Sequence, residues 1–191
     1  GGSLNLAPAD DLFMRVEYSL QINPQAQMMA SIMAKKLAVG VDFSVLDIPV
    51  GRGVKVENIE EAQALGRGFV ELGQKFGIKI EGGITYAEQP VGHTVGPALE
   101  AKEALEALEG HGPTSLIEKS TALAGLLLEM SGTIPRGRGQ DMAKEILASG
   151  KALQRMRQII EAQGGDAKVK PEDIALGEQT TKILSPTDGH V

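Results

Sequence analysis

The chain has 191 residues, a formal net charge of −6 and no cysteine. Without a basic field we expect no binding of nucleic acid or of an anionic membrane surface, and without cysteine no disulfide, thiolate nucleophile or zinc–thiolate site can form. No apolar run approaches the roughly 18–20 residues that a membrane helix needs, and no secretory signal pattern is recognisable. These features are typical of a soluble, cytoplasmic protein of one globular domain or slightly more.

The first elements predicted in chain order are a helix and a strand. Pro24 suits a first helical turn, and Gly40 is a natural stop. Between them apolar residues recur at helical spacing, at Met28, Met29, Ile32, Met33 and Leu37. The run Phe43–Ile48 is almost continuously apolar, which is the pattern of a short strand covered on both faces. A tight Gly-Arg-Gly turn is expected at 51–53.

The next two elements predict a crossover to a parallel strand. Asn58, with Glu61 three residues later, has the pattern of a capping box that begins a helix, and Gly77 ends that helix. Its buried stripe is predicted to contain Ile59, Ala62, Phe69 and Val70. Ile78 and Ile80 then alternate with charged residues, as in a strand. A strand–helix–strand order implies parallel pairing with a right-handed crossover.

The second half of the chain is predicted to be helical. Pro97 begins a helix that Gly110 closes, with one apolar face formed by Ala101, Ala104, Leu105 and Leu108. Ser115 and Glu118 are predicted to form a capping box for an apolar helix that reaches Met130.

A long helical pattern then runs from Gln140 to Gln163 with an interruption at Gly150, and the tail from Pro171 is short and mixed. The fold class predicted from these elements is α/β, helix-rich, with a small and mostly parallel sheet.

Few residues point to chemistry by spacing alone. His93, His111 and His190 are scattered, so we expect surface histidines and neither a catalytic triad nor a metal site. The turn from Gly51 to Lys55 lies between a strand and a helix, where backbone N–H groups and a cation can meet an anion. From the residues alone, a plain tight turn is the better explanation. Ser31 and Lys35 are four residues apart on one helix face, so both can reach one polar ligand or simply face solvent.

Several stretches together carry a resemblance to a known family. They are Gly1–Asp11, Ala30–Ala38, Asp47–Gly51 with Lys55 and Val56, Gln89–Gly92 with Gly96–Ala101, and Ser149–Ala152 with Ala162–Asp166. In the same order they resemble segments of the archaeal-type AMP phosphorylase and thymidine phosphorylase family, which belongs to the pyrimidine-nucleoside phosphorylases. The matches span nearly the whole chain, so the resemblance is specific.

The resemblance implies phosphorolysis of an N-glycosidic bond, with phosphate as co-substrate and no cofactor. The substrate is expected to be AMP or a pyrimidine nucleoside, with AMP preferred, and the assembly a homo-oligomer. Phosphate attacks the sugar carbon that bears the base, and a sugar phosphate and a free base result. The leaving base then needs protonation or stabilisation of its negative charge.

The resemblance also implies roles for five positions. Ser31 and Lys35 fall on residues that recognise the base, and Lys55 falls on a lysine that contacts the nucleotide in the AMP-using branch. Arg15 corresponds to a base-binding arginine if a one-residue gap is allowed. Asn23 stands at the catalytic position where the archaeal branch has an aspartate that donates a proton; an amide cannot do so at neutral pH.

The resemblance further implies how this chain relates to a two-lobed phosphorylase fold. Residues 1–40 are expected to be a linking segment with one helix of the helical lobe, and residues 41–191 part of the α/β domain. The first helical and phosphate-binding segments would precede Gly1, and a C-terminal domain would follow Val191. As a fragment, the isolated chain is expected to be inactive and to self-associate through an apolar patch around Met28, Met29, Ile32 and Met33.

Two other functions remain open at the level of the sequence. One is a naturally short, non-catalytic binding or assembly module that kept the fold. The other is a related phosphoribosyltransferase that uses pyrophosphate instead of phosphate.

Overall fold

The computed structural model describes residues 7–22 and 24–189. These residues form two compact units: the first contains the described residues up to Gln89 together with Leu123–Gly139, and the second contains Pro90–Ala122 and the described residues from Gln140 onward. The order of helices and strands is α1 (Pro8–Leu20), α2 (Gln25–Val39), β1 (Phe43–Val50), α3 (Ile59–Phe76), β2 (Lys79–Tyr86), α4 (Pro97–Leu108), α5 (Thr114–Met130), α6 (Gly139–Ala148) and α7 (Lys151–Ala162). The helix-rich α/β class is confirmed.

Two helices open the first unit. Helix α1 has Pro8 and two carboxylates, Asp10 and Asp11, in its first turn, where a fixed φ and negative charge favour a helix start. The sequence prediction missed this helix. Helix α2 agrees with its prediction: Pro24 precedes it, and Gly40 ends it in the left-handed conformation with φ 72°.

The sheet contains β1 and β2 in parallel pairing, with the register running from Phe43 opposite Lys79 to Val50 opposite Tyr86. Helix α3 connects the two strands, as the crossover prediction requires. The core of this unit contains apolar side chains from α2, from α3, from the two strands and from the segments next to the strands. They are Met33, Ile48, Val56, Ala62, Leu65, Phe69, Ile78 and Ile80.

Three predictions for this unit need correction. Strand β1 is not covered on both faces: its buried residues, Ser44 and Ile48, share one face, and Phe43 is exposed. Ile59, predicted to be buried, is exposed in the first turn of α3. The patch expected around Met33 is also wrong, because Met33 is buried and its apolar neighbours on α2 pack against the core.

The cap of α3 differs in one bond from the predicted box. The side-chain oxygen of Asn58 accepts from the Glu61 N–H at 2.8 Å, as predicted. The Glu61 carboxylate reaches past Asn58 and accepts from the Glu57 N–H at 3.4 Å. Both contacts satisfy backbone donors at the helix start, so the signal correctly predicted the start of the helix.

The second unit contains a buried carboxylate that the apolar pattern did not predict. In α4, Leu105 is buried as expected, Ala101 is exposed, and Glu103 is only 7% exposed. The Glu103 carboxylate accepts from the His93 N–H at 2.8 Å and from the Thr94 hydroxyl at 3.0 Å. These bonds satisfy a carboxylate that burial would otherwise make costly.

The remaining helices follow the predicted pattern with one wrong cap. Ser115 donates its hydroxyl to the Val91 carbonyl and does not cap α5, while Glu118 pairs with Lys144 at 2.7 Å. Gly150, in the left-handed conformation, separates α6 from α7 as predicted. Within the described part of the chain, no helix has the length and apolarity needed to cross a membrane.

Candidate functional site

Three side chains of the first unit meet between α1 and α2. The Ser31 hydroxyl donates to the Asp10 carboxylate at 2.8 Å, and the Lys35 ammonium donates to the Ser31 oxygen at 2.8 Å. Lys35 also forms an ion pair with the same carboxylate oxygen. The structure therefore brings Ser31 and Lys35 together, as their spacing of one helical turn predicts, and adds Asp10 to them.

Asp10 is ionised in this cluster. Hydrogen bonding to Lys35, and next to Ser31, holds the pKa of the Asp10 carboxyl below its ordinary value. The side chain of Asp10 is 22% exposed, whereas that of Lys35 is 53% exposed, so the ammonium keeps access to a ligand in solvent. The cluster presents a fixed cation and a hydroxyl on one side of α2.

No local pattern in the sequence places Asp10 beside Ser31 and Lys35. Its partners are 21 and 25 residues away along the chain, and only the packing of α1 brings them together. The one available signal was a carboxylate in the first turn of a helix that was itself not predicted. Such a carboxylate indicates where a helix starts, but it does not indicate which distant residues the carboxylate contacts.

Lys55 lies elsewhere in the first unit, on the rim of a cavity of about 430 Å³. The cavity is lined mostly by apolar side chains from α2, β1 and α3, and Asp47 and Lys55 are its charged lining residues. Its volume is in the range of small-molecule sites, which combine an apolar wall with a few polar groups. Helix α2 contributes Met28 and Ile32 to the wall.

Asp47 was not among the predicted site residues. It sits near the carboxyl end of β1, and its carboxylate accepts from the Thr85 hydroxyl of β2 at 2.6 Å. Ligands of parallel sheets bind beyond the carboxyl ends of the strands. The position of an acidic residue inside an otherwise apolar strand could therefore have identified Asp47 as a candidate site residue.

The glycine turn after β1 is held in place by close backbone contact. A β-carbon at Gly51 would lie 2.8 Å from the carbonyl carbon of Ala87, so only glycine fits there. Arg52 forms a solvent-exposed ion pair with Glu88 at 3.7 Å. The turn therefore places Lys55 on the cavity rim, and Arg52 is partly neutralised by Glu88.

The whole chain aligns with proteins of known name. It is 58% identical to an AMP phosphorylase of Thermococcus kodakarensis, 58% to one of Pyrococcus furiosus and 55% to one of Methanosarcina mazei. Each alignment covers 100% of this chain and 38% of the relative. The resemblance to the AMP phosphorylase family is confirmed. No family model matches the sequence.

Of the other residues that the AMP phosphorylase resemblance singles out, Lys55 and Arg15 do not join the Asp10–Ser31–Lys35 cluster. Arg15 is exposed on α1, and its backbone carbonyl accepts from the Ser19 hydroxyl at 2.8 Å. Asn23 lies outside the described residues. Among the described residues, no group of three or more histidine, aspartate or glutamate side chains could hold a metal ion.

Proposed function

We propose that the full-length protein that contains this chain is a phosphorylase acting on AMP. The attacking phosphate forms a bond to the sugar carbon as the bond to adenine breaks, so the products are free adenine and a ribose phosphorylated at both ends. Support comes from the 54–58% identity to proteins named AMP phosphorylase. The structural observation that carries the proposal is the hydrogen-bonded pair of Ser31 and Lys35 on α2.

In this proposal Ser31 and Lys35 hold the base. Negative charge develops on adenine as the glycosidic bond breaks, and a fixed ammonium beside the base stabilises that charge. The position of Lys35 is fixed by the Ser31 and Asp10 contacts, so little reorganisation is needed when the charge develops.

Lys55 is assigned to the 5′-phosphate of the nucleotide. The cavity that it lines has a volume suited to a small molecule, and a phosphate at the rim would meet the ammonium while apolar walls cover the sugar. A nucleoside has no 5′-phosphate and would gain nothing from this cation. The assignment therefore favours AMP over thymidine or uridine.

The remaining roles come from the family resemblance. Arg15 is proposed to contact the substrate, and Asn23 to lie beside the leaving base without protonating it. The attacking phosphate is proposed to bind to a segment that lies before Gly1 in the relatives.

The test measures phosphate-dependent base release by the full-length protein. We expect kcat/KM to be higher for AMP than for CMP, UMP, thymidine or uridine. Ser31→Ala and Lys35→Ala should each lower kcat/KM for AMP by about tenfold or more, because each removes a charge-assisted contact. Lys36→Ala is the matched control, since it removes the same charge from the neighbouring position of α2 and should change little.

Three outcomes would contradict the proposal. Base release that requires pyrophosphate would indicate a phosphoribosyltransferase, and no base release would indicate a binding or assembly module. Thymidine or uridine ranking above every monophosphate would refute the assignment of Lys55 to the 5′-phosphate.

A further inference from the structure

Two cations lie on the glycine turn that follows β1. Gly53 and Lys55 line the cavity, and Arg52 is the residue directly before Gly53. The backbone of this turn starts from a fixed point, because the Ala87 N–H after β2 donates to the Val50 carbonyl at the end of β1 at 2.9 Å. A guanidinium attached to this backbone is within side-chain reach of a ligand at the cavity rim.

The ion pair that Arg52 forms in the structure is a weak one. Its Nε atom lies 3.7 Å from a carboxylate oxygen of Glu88, which is beyond hydrogen-bond distance. The side chain of Arg52 is 91% exposed, so water screens the attraction. The other carboxylate oxygen of Glu88 accepts from the Tyr86 hydroxyl at 3.4 Å. Arg52 can therefore leave Glu88 at little cost in free energy.

We propose that Arg52 is a specificity-determining residue that exchanges Glu88 for the 5′-phosphate when the nucleotide binds. The inference rests on the proposed function, in which Lys55 meets that phosphate at the cavity rim. A phosphate monoester carries about 1.5 to 2 negative charges at neutral pH, whereas a carboxylate carries one. The phosphate oxygens also match the planar fork of a guanidinium, which forms two parallel N–H···O bonds with them. The phosphate therefore outcompetes Glu88 for Arg52.

The experiment measures phosphate-dependent adenine release from base-labelled AMP by the full-length protein, with unlabelled adenosine as a competing ligand. Adenosine has the same base and ribose but no 5′-phosphate, so its inhibition constant reports the rest of the site. Arg52→Ala should lower kcat/KM for AMP by about tenfold, the size of a hydrogen bond to a charged group. The inhibition constant of adenosine should stay within about twofold of wild type, less than the loss of one hydrogen bond.

Glu88 should affect the phosphate only through Arg52. Glu88→Gln frees the guanidinium and should raise kcat/KM for AMP by about two- to fivefold, the range of an exposed ion pair. When it is combined with Arg52→Ala, the same substitution should add nothing, because the two residues then no longer interact.

Two further variants complete the comparison. Arg67→Ala removes the same charge from an exposed position of α3 and should leave both constants unchanged. Lys55→Ala removes the other cation of the turn and should lower kcat/KM for AMP. Far-ultraviolet circular dichroism and thermal unfolding would confirm that the compared variants are folded.

The outcomes distinguish this inference from the proposed function. If wild type releases no adenine in a phosphate-dependent reaction, the proposed function is wrong and the role of Arg52 falls with it. If Lys55→Ala lowers kcat/KM for AMP but Arg52→Ala stays within about twofold of wild type, only the role of Arg52 is wrong. Equal losses for AMP and adenosine in Arg52→Ala would also refute that role, because the contact would then not be to the 5′-phosphate. A gain from Glu88→Gln that persists without Arg52 would refute the exchange.

Discussion

At the scale of single residues, Asn23 stands at the position where the family resemblance implies a proton donor. A side-chain amide cannot protonate a leaving base at neutral pH. Asn23→Asp in the full-length protein should therefore raise kcat for AMP by about tenfold or more, within the usual contribution of general acid catalysis. Turnover measured by adenine release checks this.

An asparagine-to-aspartate substitution at another position, Asn58, provides the control for Asn23→Asp. Asn58→Asp changes the cap of α3, where either residue satisfies the Glu61 N–H, and should leave turnover unchanged. If Asn23→Asp produces no gain, the base is protonated from another group or leaves without protonation.

A second residue-scale prediction concerns acid stability. Hydrogen bonding to Arg136 holds the pKa of Glu81 below its ordinary value of 4.5. Because the folded-state pKa is the lower one, the pair stabilises the fold above the unfolded-state pKa, and this stabilisation is lost as pH falls through the folded-state pKa. Arg136 is 59% exposed, so solvent screening keeps the effect small.

Urea unfolding at about pH 7 and about pH 3 tests the role of Glu81. Wild type should lose more unfolding free energy between these two conditions than Glu81→Gln does. Glu71→Gln, which removes an exposed carboxylate from α3 of the same unit, should behave like wild type. Equal acid sensitivity of Glu81→Gln and wild type would show that the ion pair contributes nothing.

The candidate site was only partly predictable from single residues. Ser31 and Lys35 could be placed together because a helical period of 3.6 residues brings positions four apart onto one face. Asp10 could not, because its contacts depend on how α1 packs against α2 and no local pattern encodes that. Lys55 was predicted as a cation on a glycine turn, but the cavity that it borders requires three elements to pack.

At the scale of elements, two glycines of α3 should respond oppositely to alanine. A β-carbon at Gly73 would lie 2.6 Å from the Ile78 carbonyl oxygen and 2.7 Å from Ile80, so Gly73→Ala forces α3 away from β2 and should destabilise the fold by about 1–3 kcal/mol. At Gly66 the nearest atom, on Ile48, is 3.4 Å away. Gly66→Ala should stabilise the helix by up to about 1 kcal/mol.

Chemical denaturation of the two variants makes the comparison. Both substitutions replace glycine by alanine within one helix, so helix propensity acts equally on each and the difference reports the approach of α3 to β2. Stabilisation by Gly73→Ala equal to that by Gly66→Ala would contradict the observed packing.

Periodic elements were predicted well and contacts between elements were not. The helix starts and stops at Pro24, Gly40, Asn58 and Gly77 follow from local backbone chemistry, and the parallel pairing of β1 with β2 follows from the crossover rule. Helix α1 was missed because its apolar residues face solvent in the structure and form no buried stripe. Ser115 was wrongly predicted to cap α5. Its hydroxyl donates to the Val91 carbonyl, and the residues around Ser115 in the sequence do not reveal this distant acceptor.

At the scale of the whole molecule, the apolar surface of α1 predicts self-association of this chain. The helix has no buried residue, and its exposed apolar side chains include Leu12, Phe13, Met14, Val16, Tyr18 and Leu20. Exposed apolar side chains favour association because their burial removes them from water. This surface on α1 differs from the apolar patch that the sequence predicted on α2. The residues of the α2 patch are covered because they pack in the core or against it.

Sedimentation velocity over a range of concentrations tests this surface. Wild type should form dimers or larger species, and Val16→Glu with Leu20→Glu should shift the population toward monomer. Ile183→Glu, at an exposed apolar residue outside α1, should leave the distribution unchanged. A wild-type chain that stays monomeric throughout would contradict the prediction.

In the proposed function, phosphate is the nucleophile that releases adenine from AMP. The most direct measurement follows isotope-labelled inorganic phosphate in a reaction of the full-length protein with AMP, alongside the isolated 191-residue chain, which should be inactive. We expect one labelled ribose phosphate for each adenine released, and no adenine without phosphate. Adenine released without incorporation of label, or only when pyrophosphate replaces phosphate, would contradict it.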